Sequence, residues 1–590
     1  MTDRAHPTPA TGRLMTRHGT GLAVLGVLAL ALVLLGPLFL DRFTLNVLTR
    51  SMIYAMMAIT VDLLWGYTGI LTFGQSAFFG AGAYATALVL THVGGGAQNF
   101  ALALVLSVIL PMGLAAVVGW LSFYHKSTPL YASVISLVVP IVLTQAIFAG
   151  GSFTGSSSGL VGYPVMKLGA ANYFRLAGVA LILFAGLSWV IVRSDAGRLL
   201  VAIRDNPMRA AYLGIRTQRV QILLMAVLGG VAGLAGFLYA NAGRIVAPEI
   251  AGFGFGTQMI VWTALGGRGT IFGPAMGAIG IDWLGAQLSG TLPYLWQLVI
   301  GTLFVVMILF MPSGLAGFIP RRRRAAAPPR LAALPDHRQQ TGGEALLSVE
   351  GLRKAYGHFV VLDGIGIQVR PGELVSVVGP NGAGKTTFLR CLSDGTETIE
   401  GRITLAGQDI AGRPPEAVVA LGIGRKFQVA SVFESMTVAE CLRLARVTHE
   451  RPSLWRRAAA IDLPQAALDI LALTGLDQKL DQPVGGISHG MRQSLELAMV
   501  VAMQPRLILL DEPTAGLTKA ERTLIGEVLK RLTQDLGYAA ILIEHDLDFV
   551  KDISQRIVVL HQGKLVMDGP VDEVVNSDLV RSIYSGMAHD

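Results

Sequence analysis

The sequence predicts a multi-domain chain, an N-terminal all-α polytopic membrane part followed by an α/β part. Three observations predict it. The 590 residues exceed one ordinary domain. Only 15% of residues are charged against 52% hydrophobic, and the shortage of charge is confined to the stretch before Pro320. From Leu346 onward the chain alternates as a soluble protein does, and there an apolar strand-like run meets a Gly-rich loop and then a helical pattern.

Residues 1–20 carry Arg4, Arg13 and Arg17 ahead of an apolar run with no small-residue cleavage site after it, which reads as a cytosolic segment leading into an uncleaved first span. Apolar segments follow near 21–40, 47–66, 70–90, 99–123, 130–150, 175–192, 219–241, 252–266, 270–289 and 293–318. Most approach the roughly 20 residues that cross a bilayer. The Gly-rich 252–266 segment is shorter, as a half-helix or re-entrant piece would be.

The formal charge of +8 is concentrated in arginines beside these segments. Arg193, Arg198, Arg204, Arg209, Arg216 and Arg219 face only Asp195 and Asp205, and Arg321–Arg324 ends the apolar half. Cytosolic flanks of membrane spans look like this, so the basic balance reports topology rather than nucleic-acid binding. An even number of crossings must separate the three basic clusters. About ten spans satisfy that, and eight do if 252–289 crosses differently. A transmembrane part over 21–320, a basic Pro/Ala-rich linker over 321–345 without periodicity, and a cytosolic domain over 346–590 follow. The Gly/Ser-rich loop 151–174 then lies outside, as a flexible loop or a docking surface. Cys391 and Cys441 lack metal-ligand spacing and are expected as reduced thiols.

The strongest chemical signal is Gly379-Pro380-Asn381-Gly382-Ala383-Gly384-Lys385-Thr386-Thr387, between the apolar run 374–378 and a helical pattern. Such a loop turns successive N–H groups toward phosphate oxygens at a helix N-terminus. Lys385 suits the β- and γ-phosphates of ATP, and Thr386 suits Mg²⁺. Leu507-Ile508-Leu509-Leu510-Asp511-Glu512 reads as a buried parallel strand with two carboxylates at its end. Asp511 fits the Mg²⁺ shell and Glu512 the polarisation of an attacking water. Together these imply a nucleotide hydrolase.

From Leu346 to the end, the order of motifs resembles the ATPases of ABC transporters, an α/β P-loop NTPase fold. The resemblance implies that Tyr356 stacks on adenine and that Gln428 senses Mg²⁺ and the permease. It implies that His545 contacts the γ-phosphate, and that Ser488 and Gly490 bind γ-phosphate across a dimer. Met491 replaces the usual signature Gln, and Thr518 stands where many members have Asp or Asn. The Met491 change either weakens one composite ATP site or is neutral, since Ser488 and the helix N-terminus remain.

The membrane half resembles permeases of the branched-chain amino acid and urea uptake family over roughly 45–320. The carrying stretches are Val61–Gly69, Leu71–Gly80, Ala202–Asn206 and Gly266–Thr270. That family implies an importer in the bacterial cytoplasmic membrane, fed with small polar solutes by an extracytoplasmic binding protein. It would be paired with a second permease and a second ATPase, or with a second copy of this chain. Leucine-type amino acids are the first expectation for the cargo and urea or short amides the alternative. Leu200, Ile203, Ala210 and Leu213 fall on one helical face, so Ala202–Leu213 is expected to be a coupling helix, against the reading of an ordinary basic loop. Asp62, inside an apolar span, either lines the path or caps a neighbouring helix; Gln75, Gln145, Gln258 and Asp282 are weaker candidates. The Gly residues at 229–233 and 266–280 fit close helix packing. An exporter half-transporter shares this domain order but has about six long spans, and a membrane-anchored signalling ATPase carries a large periplasmic insertion that this chain lacks.

Overall fold

The computed structural model describes residues 16–124, 129–311, 314–318, 329–336 and 343–585. Arg4, Arg13 and the run Arg321–Arg324 lie outside the described residues. The apolar segments fold as helices Thr16–Leu35, Arg42–Thr68, Gln75–His92, Ala97–Phe123, Pro129–Ala149, Ala170–Arg193, Thr217–Gly243, Phe253–Gly266, Phe272–Thr291 and Trp296–Phe310. Among the described residues, five stretches are long and apolar enough to cross a membrane: Arg42–Thr68, Ala97–Phe123, Leu130–Ala149, Ala170–Arg193 and Thr217–Gly243. Val24–Leu38 and Leu298–Met307 are shorter apolar helices. Phe253–Gly266 has 14 residues, a rise of about 21 Å against a hydrocarbon core of about 30 Å.

The chain divides into two compact units, Met1–Val192 with Gln218–Arg322, and Arg193–Thr217 with Arg323–Asp590. In the first, the helices Gln75–His92 and Thr217–Gly243 meet backbone to backbone. A Cβ on Gly82 would stand 2.4 Å from Gly233 O, and one on Gly236 2.3 Å from Phe79 O, so only glycine permits the approach. Asp41 starts the helix Arg42–Thr68 by accepting the Phe43 and Thr44 N–H groups at 3.0 and 3.2 Å.

Asp62 is fully buried there and acts as a cap. It accepts Gly269 N–H at 2.6 Å and Ile271 N–H at 3.0 Å, ahead of the helix Phe272–Thr291. Tyr67 donates to Gly269 O, and Arg268 lies over the Trp65 ring at 5.0 Å. The two stretches around Asp62 and Gly269 are thus halves of one joint. Asp282 pairs with Arg50 at 3.1 Å and accepts from Ser51 at 2.6 Å. Gln75 Oε1 accepts from Thr60.

Segment 151–174 is anchored rather than free. Leu160–Val161 pairs antiparallel with Ile245–Val246, and Tyr163 donates to Ala240 O at 2.7 Å. Its Gly and Ser content suggested a loop because a two-residue strand leaves no periodic signal.

In the second unit, a six-stranded sheet runs in the order Lys564–Pro570, Arg556–His561, Leu374–Val378, Ala539–Ile543, Leu507–Asp511, Ile423–Lys426. All neighbours are parallel except the first pair. Every residue of the three central strands is buried, which is why they read as continuous apolar runs. A four-stranded antiparallel sheet is built on Leu347–Tyr356 and Phe359–Val369.

Two sequence expectations change in this unit. Part of the supposedly unstructured linker is a strand: Arg330–Leu334 pairs in parallel with Ala460–Pro464, and Asp336 accepts Ala466 N–H at 3.1 Å. Five residues in a separate two-stranded pair carry too little pattern to stand out from a Pro/Ala background. The expected helix Ala202–Leu213 is two helices, Asp195–Asp205 and Pro207–Ala211, with a break at Asn206. Pro207 disfavours the α conformation at the residue before it, and the Asn206 side chain caps the second helix through Arg209 N–H at 2.9 Å.

Candidate functional site: an ATPase edge

Four parallel strands end on the same edge of the sheet, and each delivers part of the site. The strand Leu374–Val378 runs into Gly379–Thr387, whose helix Lys385–Ser393 opens at Gly384. Gly382 and Gly384 have φ of 81° and 97°. A Cβ on Gly384 would also stand 2.7 Å from Leu362 Cδ2, so the loop requires glycine there. Lys385 is buried, and its Nζ donates to Gly379 O at 2.6 Å and Pro380 O at 3.0 Å. Burial lowers its pKa, opposed by Glu512 and Asp511. Asn381 lies in the same loop, and Thr386 and Thr387 in the first turn of the helix.

The strand Leu507–Asp511 places Asp511 and Glu512 side by side. Asp511 is 2% exposed and, among the described residues, its Oδ1 has no partner. Burial raises its pKa, with Arg425 acting against the shift. A buried carboxylate oxygen with an open lone pair, beside a hydroxyl at a helix N-terminus, suits a hydrated Mg²⁺. Glu512 has φ of 45°, an uncommon value for a non-glycine residue and one that clusters at functional sites. Its carboxylate joins the ends of the other two strands. His545 Nε2 lies 2.6 Å from Oε1, and Gln428 Nε2 donates to Oε2 at 2.9 Å. Gln428, Glu512 and His545 therefore form one hydrogen-bonded cluster.

The comparisons with known proteins fit this edge. Residues 362–515 match the family model described as ABC transporter, and residues 43–308 match branched-chain amino acid transport system / permease component. The high-affinity branched-chain amino acid transport ATP-binding protein LivG of Escherichia coli (strain K12) is 33% identical over 254 residues, covering 42% of this chain and 99% of that protein.

The chain belongs to the ABC transporter family, as a fusion of permease and ATPase.

BraF of Pseudomonas aeruginosa, named for the same transport, is 31% identical over 252 residues, 41% of this chain and 98% of BraF. The phosphonates import ATP-binding protein PhnC of Alcaligenes faecalis is 34% identical over 241 residues, 40% of this chain and 87% of PhnC. A crystal structure of the ADP conformation of an ABC transporter's ATP-binding cassette aligns at 26% identity and TM-score 0.36, over 41% of this chain and 100% of the other. The ABC chain is thus an ATP hydrolase, multi-pass in the membrane, with its ATPase in the cytoplasm.

The remaining sequence-derived residues stand apart from the Glu512 cluster. Tyr356 is half exposed at the end of its strand, with Lys354 Nζ 4.8 Å from its ring centre. Ser488 caps the helix His489–Ala502 by accepting Met491 N–H at 3.3 Å. Gly490 lies in the first turn, where a Cβ would meet Glu521 Oε1 at 3.0 Å. Among the described residues no hydrogen bond joins Ser488 or Gly490 to the Lys385 loop. The two departures from the family pattern have structural partners: Met491 Sδ accepts from Lys479, and Thr518 forms a capping box with Glu521.

Sequence reasoning missed a second layer. Glu496, fully buried, accepts Phe427 N–H and Ser431 N–H, each at 3.2 Å, so it holds both flanks of Gln428. Gln493 donates to Gln428 O at 3.1 Å. Arg209, in the loop between two membrane helices, pairs with Glu496 at 3.3 Å and donates to Arg425 O at 2.9 Å. Asn206 donates to Ser431 Oγ, and Asp205 accepts from Ser435. Glu544 accepts Thr514 N–H and Oγ–H, fixing the turn after Glu512. The available signal was charge in an unlikely place: Glu496 interrupts the otherwise apolar run Leu495–Ala502.

Proposed function

We propose that the chain is the permease and ATPase subunit of an importer that takes up branched-chain or related hydrophobic amino acids from an extracytoplasmic binding protein. We propose with it the division into an N-terminal segment 1–20, a permease 21–320, a linker 321–345 and an ATPase 346–590. ABC-type import driven by ATP hydrolysis, most consistent with a branched-chain amino acid system, is the frame given by the two family models and by LivG. The cargo reading rests on that likeness, and the observation that carries the coupling of hydrolysis to transport is the link from Arg209 through Glu496 to the Gln428 loop, because it ties the segment between membrane helices to the hydrolytic carboxylate.

In this reading Lys385 and the N–H groups of Gly379–Thr387, with Asn381, Gly382 and Gly384, hold the phosphates of ATP. Thr386, Asp511 and Gln428 hold Mg²⁺, and Tyr356 supports the base. ATP with Mg²⁺ supplies a phosphoanhydride bond whose cleavage is driven by positioning and charge neutralisation. Glu512 takes a proton from the attacking water, and His545 orients Glu512 and the γ-phosphate end of the site. Ser488 and Gly490 serve the site of a paired ATPase, either a second copy or a distinct subunit. When Gln428 moves with its loop, Glu496 moves with it, and Arg209 carries the displacement to the permease segment.

The test is reconstitution with candidate binding proteins, measuring ATPase stimulation by leucine-like amino acids, urea and short amides. Stimulation by leucine-type solutes supports the reading. Stimulation by urea or amides alone would move the cargo to the other branch, and export of a hydrophobic dye in place of uptake would overturn import.

A further inference from the structure

We propose that the exposed loop Arg451–Arg457 is a docking surface for anionic phospholipid headgroups on the cytoplasmic face of the membrane. Leu454 and Trp455 are 54% and 60% exposed, side by side at the tip. Arg451, Arg456 and Arg457 flank them, also exposed. Arg457 pairs with Glu440 at 2.8 Å. Among the described residues no carboxylate lies within ion-pair distance of Arg451 or Arg456. The Ser453 hydroxyl accepts Trp455 N–H and Arg456 N–H at 3.3 and 3.2 Å, which folds the segment into a turn and points it outward.

The segment that follows a membrane helix fixes one flank of this loop. Asp195 N–H donates to Arg456 O at 3.3 Å, and Ala196 N–H to Ser453 O at 3.1 Å. Asp195 follows two residues after the end of the membrane helix Ala170–Arg193. At about 3.5 Å of reach per residue, the turn lies within roughly 10 Å of that helix end. On the other side, Arg330 N–H donates to Ala459 O at 3.1 Å. The loop is therefore tied at one flank to chain that follows a membrane helix by two residues.

An aromatic and an aliphatic side chain among arginines is the chemistry of the membrane interface. The Trp ring sits at headgroup level, and guanidinium groups take phosphate oxygens as paired acceptors. Each arginine near an anionic leaflet is worth roughly a fivefold factor in partitioning. None of the loop residues belongs to the nucleotide motifs, so the surface adds to the transport function rather than restating it.

The experiment uses the full chain in nanodiscs of phosphatidylcholine with or without phosphatidylglycerol, the lipids brominated near the headgroup end of the acyl chains. The Trp455 signal is the difference between wild type and Trp455→Phe. The expected result is quenching that rises with the fraction of phosphatidylglycerol, falls at about 0.5 M salt, and is lost in the double variant Arg451→Gln/Arg456→Gln. That variant should keep its ATP hydrolysis in detergent, which shows that it folds. Quenching absent in phosphatidylglycerol, or indifferent to lipid charge and to both arginines, overturns the proposal. So does shielding of Trp455 that appears only when a second permease or ATPase chain is added, which would mark a protein contact.

Discussion

Arg209 Nη1 stands 3.3 Å from Glu496 Oε1, with both side chains fully buried. The pair joins a segment that runs between two membrane helices to the carboxylate that grips both flanks of Gln428. Among the described residues only Nη1 of the guanidinium is used; Nε and Nη2 have no partner there. Arg209→Met would leave Glu496 buried against Lys426 alone, and breaking one side of a buried pair costs about 3–5 kcal/mol. A lysine keeps the single donor that is used. The expected order in a thermal-unfolding series is therefore wild type, then Arg209→Lys, then Arg209→Met. The double variant Arg209→Met/Glu496→Gln should recover part of the loss. Equal effects of Lys and Met would show that the charge at Arg209 contributes nothing.

Glu512 accepts from two side chains, so Glu512→Gln should preserve the packing of the edge while removing the base. Hydrolysis should fall by about 10²-fold or more, with ATP binding retained, as measured by steady-state phosphate release and by nucleotide bound to purified protein. His545→Ala removes one partner of Glu512 and leaves Gln428 in place. A loss of rate smaller than that of Glu512→Gln would place His545 as an orienting group, and an equal loss would make the two a single unit.

The residues that cradle phosphate were legible in the sequence because their signal is local. Gly379–Thr387 and Leu507–Glu512 each contain strand, turn and chemistry within about ten consecutive residues. Gln428 and His545 needed the family order of motifs, since a lone Gln or His has no pattern of its own; the parallel sheet then brings both to Glu512. Glu496 and Arg209 were not legible, because their meaning lies in a contact between distant parts of the chain. Asp62 was visible as an anomaly, a carboxylate in an apolar run, but its partners are more than 200 positions away. The membrane count was the least legible quantity: Gly-rich helices such as Phe253–Gly266 have the hydropathy of a span without its length.

Both cysteines are free and buried. Burial pushes the Cys391 thiol up to about 11 and the Cys441 thiol up to about 12. A thiol reacts as its thiolate, and at pH 7.5 a group titrating near 11 is ionised to roughly one part in 3,000. Neither residue should be modified by maleimide in the native protein at pH 7.5, whereas both should be in denaturant, as read by intact mass. The thiolate fraction rises with pH, so any native labelling should grow steeply above about pH 9. Rapid modification at neutral pH would contradict the packing around either thiol.

The Asp62 joint gives a test inside the membrane unit. Its two oxygens take the N–H groups of Gly269 and Ile271, ahead of a helix whose first turn is also capped by Thr270 Oγ1, which accepts Gly273 N–H at 3.2 Å. Asp62→Ala would orphan both donors, at about 1–3 kcal/mol each. Asp62→Asn keeps one acceptor and turns an amide N–H₂ toward the other donor, so it should be intermediate. Gly66 is part of the same joint. A Cβ there would stand 2.3 Å from Asp62 Oδ1 and 2.7 Å from Gly269 N, so Gly66→Ala must push the two stretches apart and should cost as much as Asp62→Ala. If Asp62 were instead a solute contact, Asp62→Asn would alter solute affinity with the detergent-extracted protein melting as wild type. If it is the cap, the melting temperature falls in the order Asn then Ala, and Gly66→Ala behaves like Asp62→Ala although glycine has no group to offer a solute.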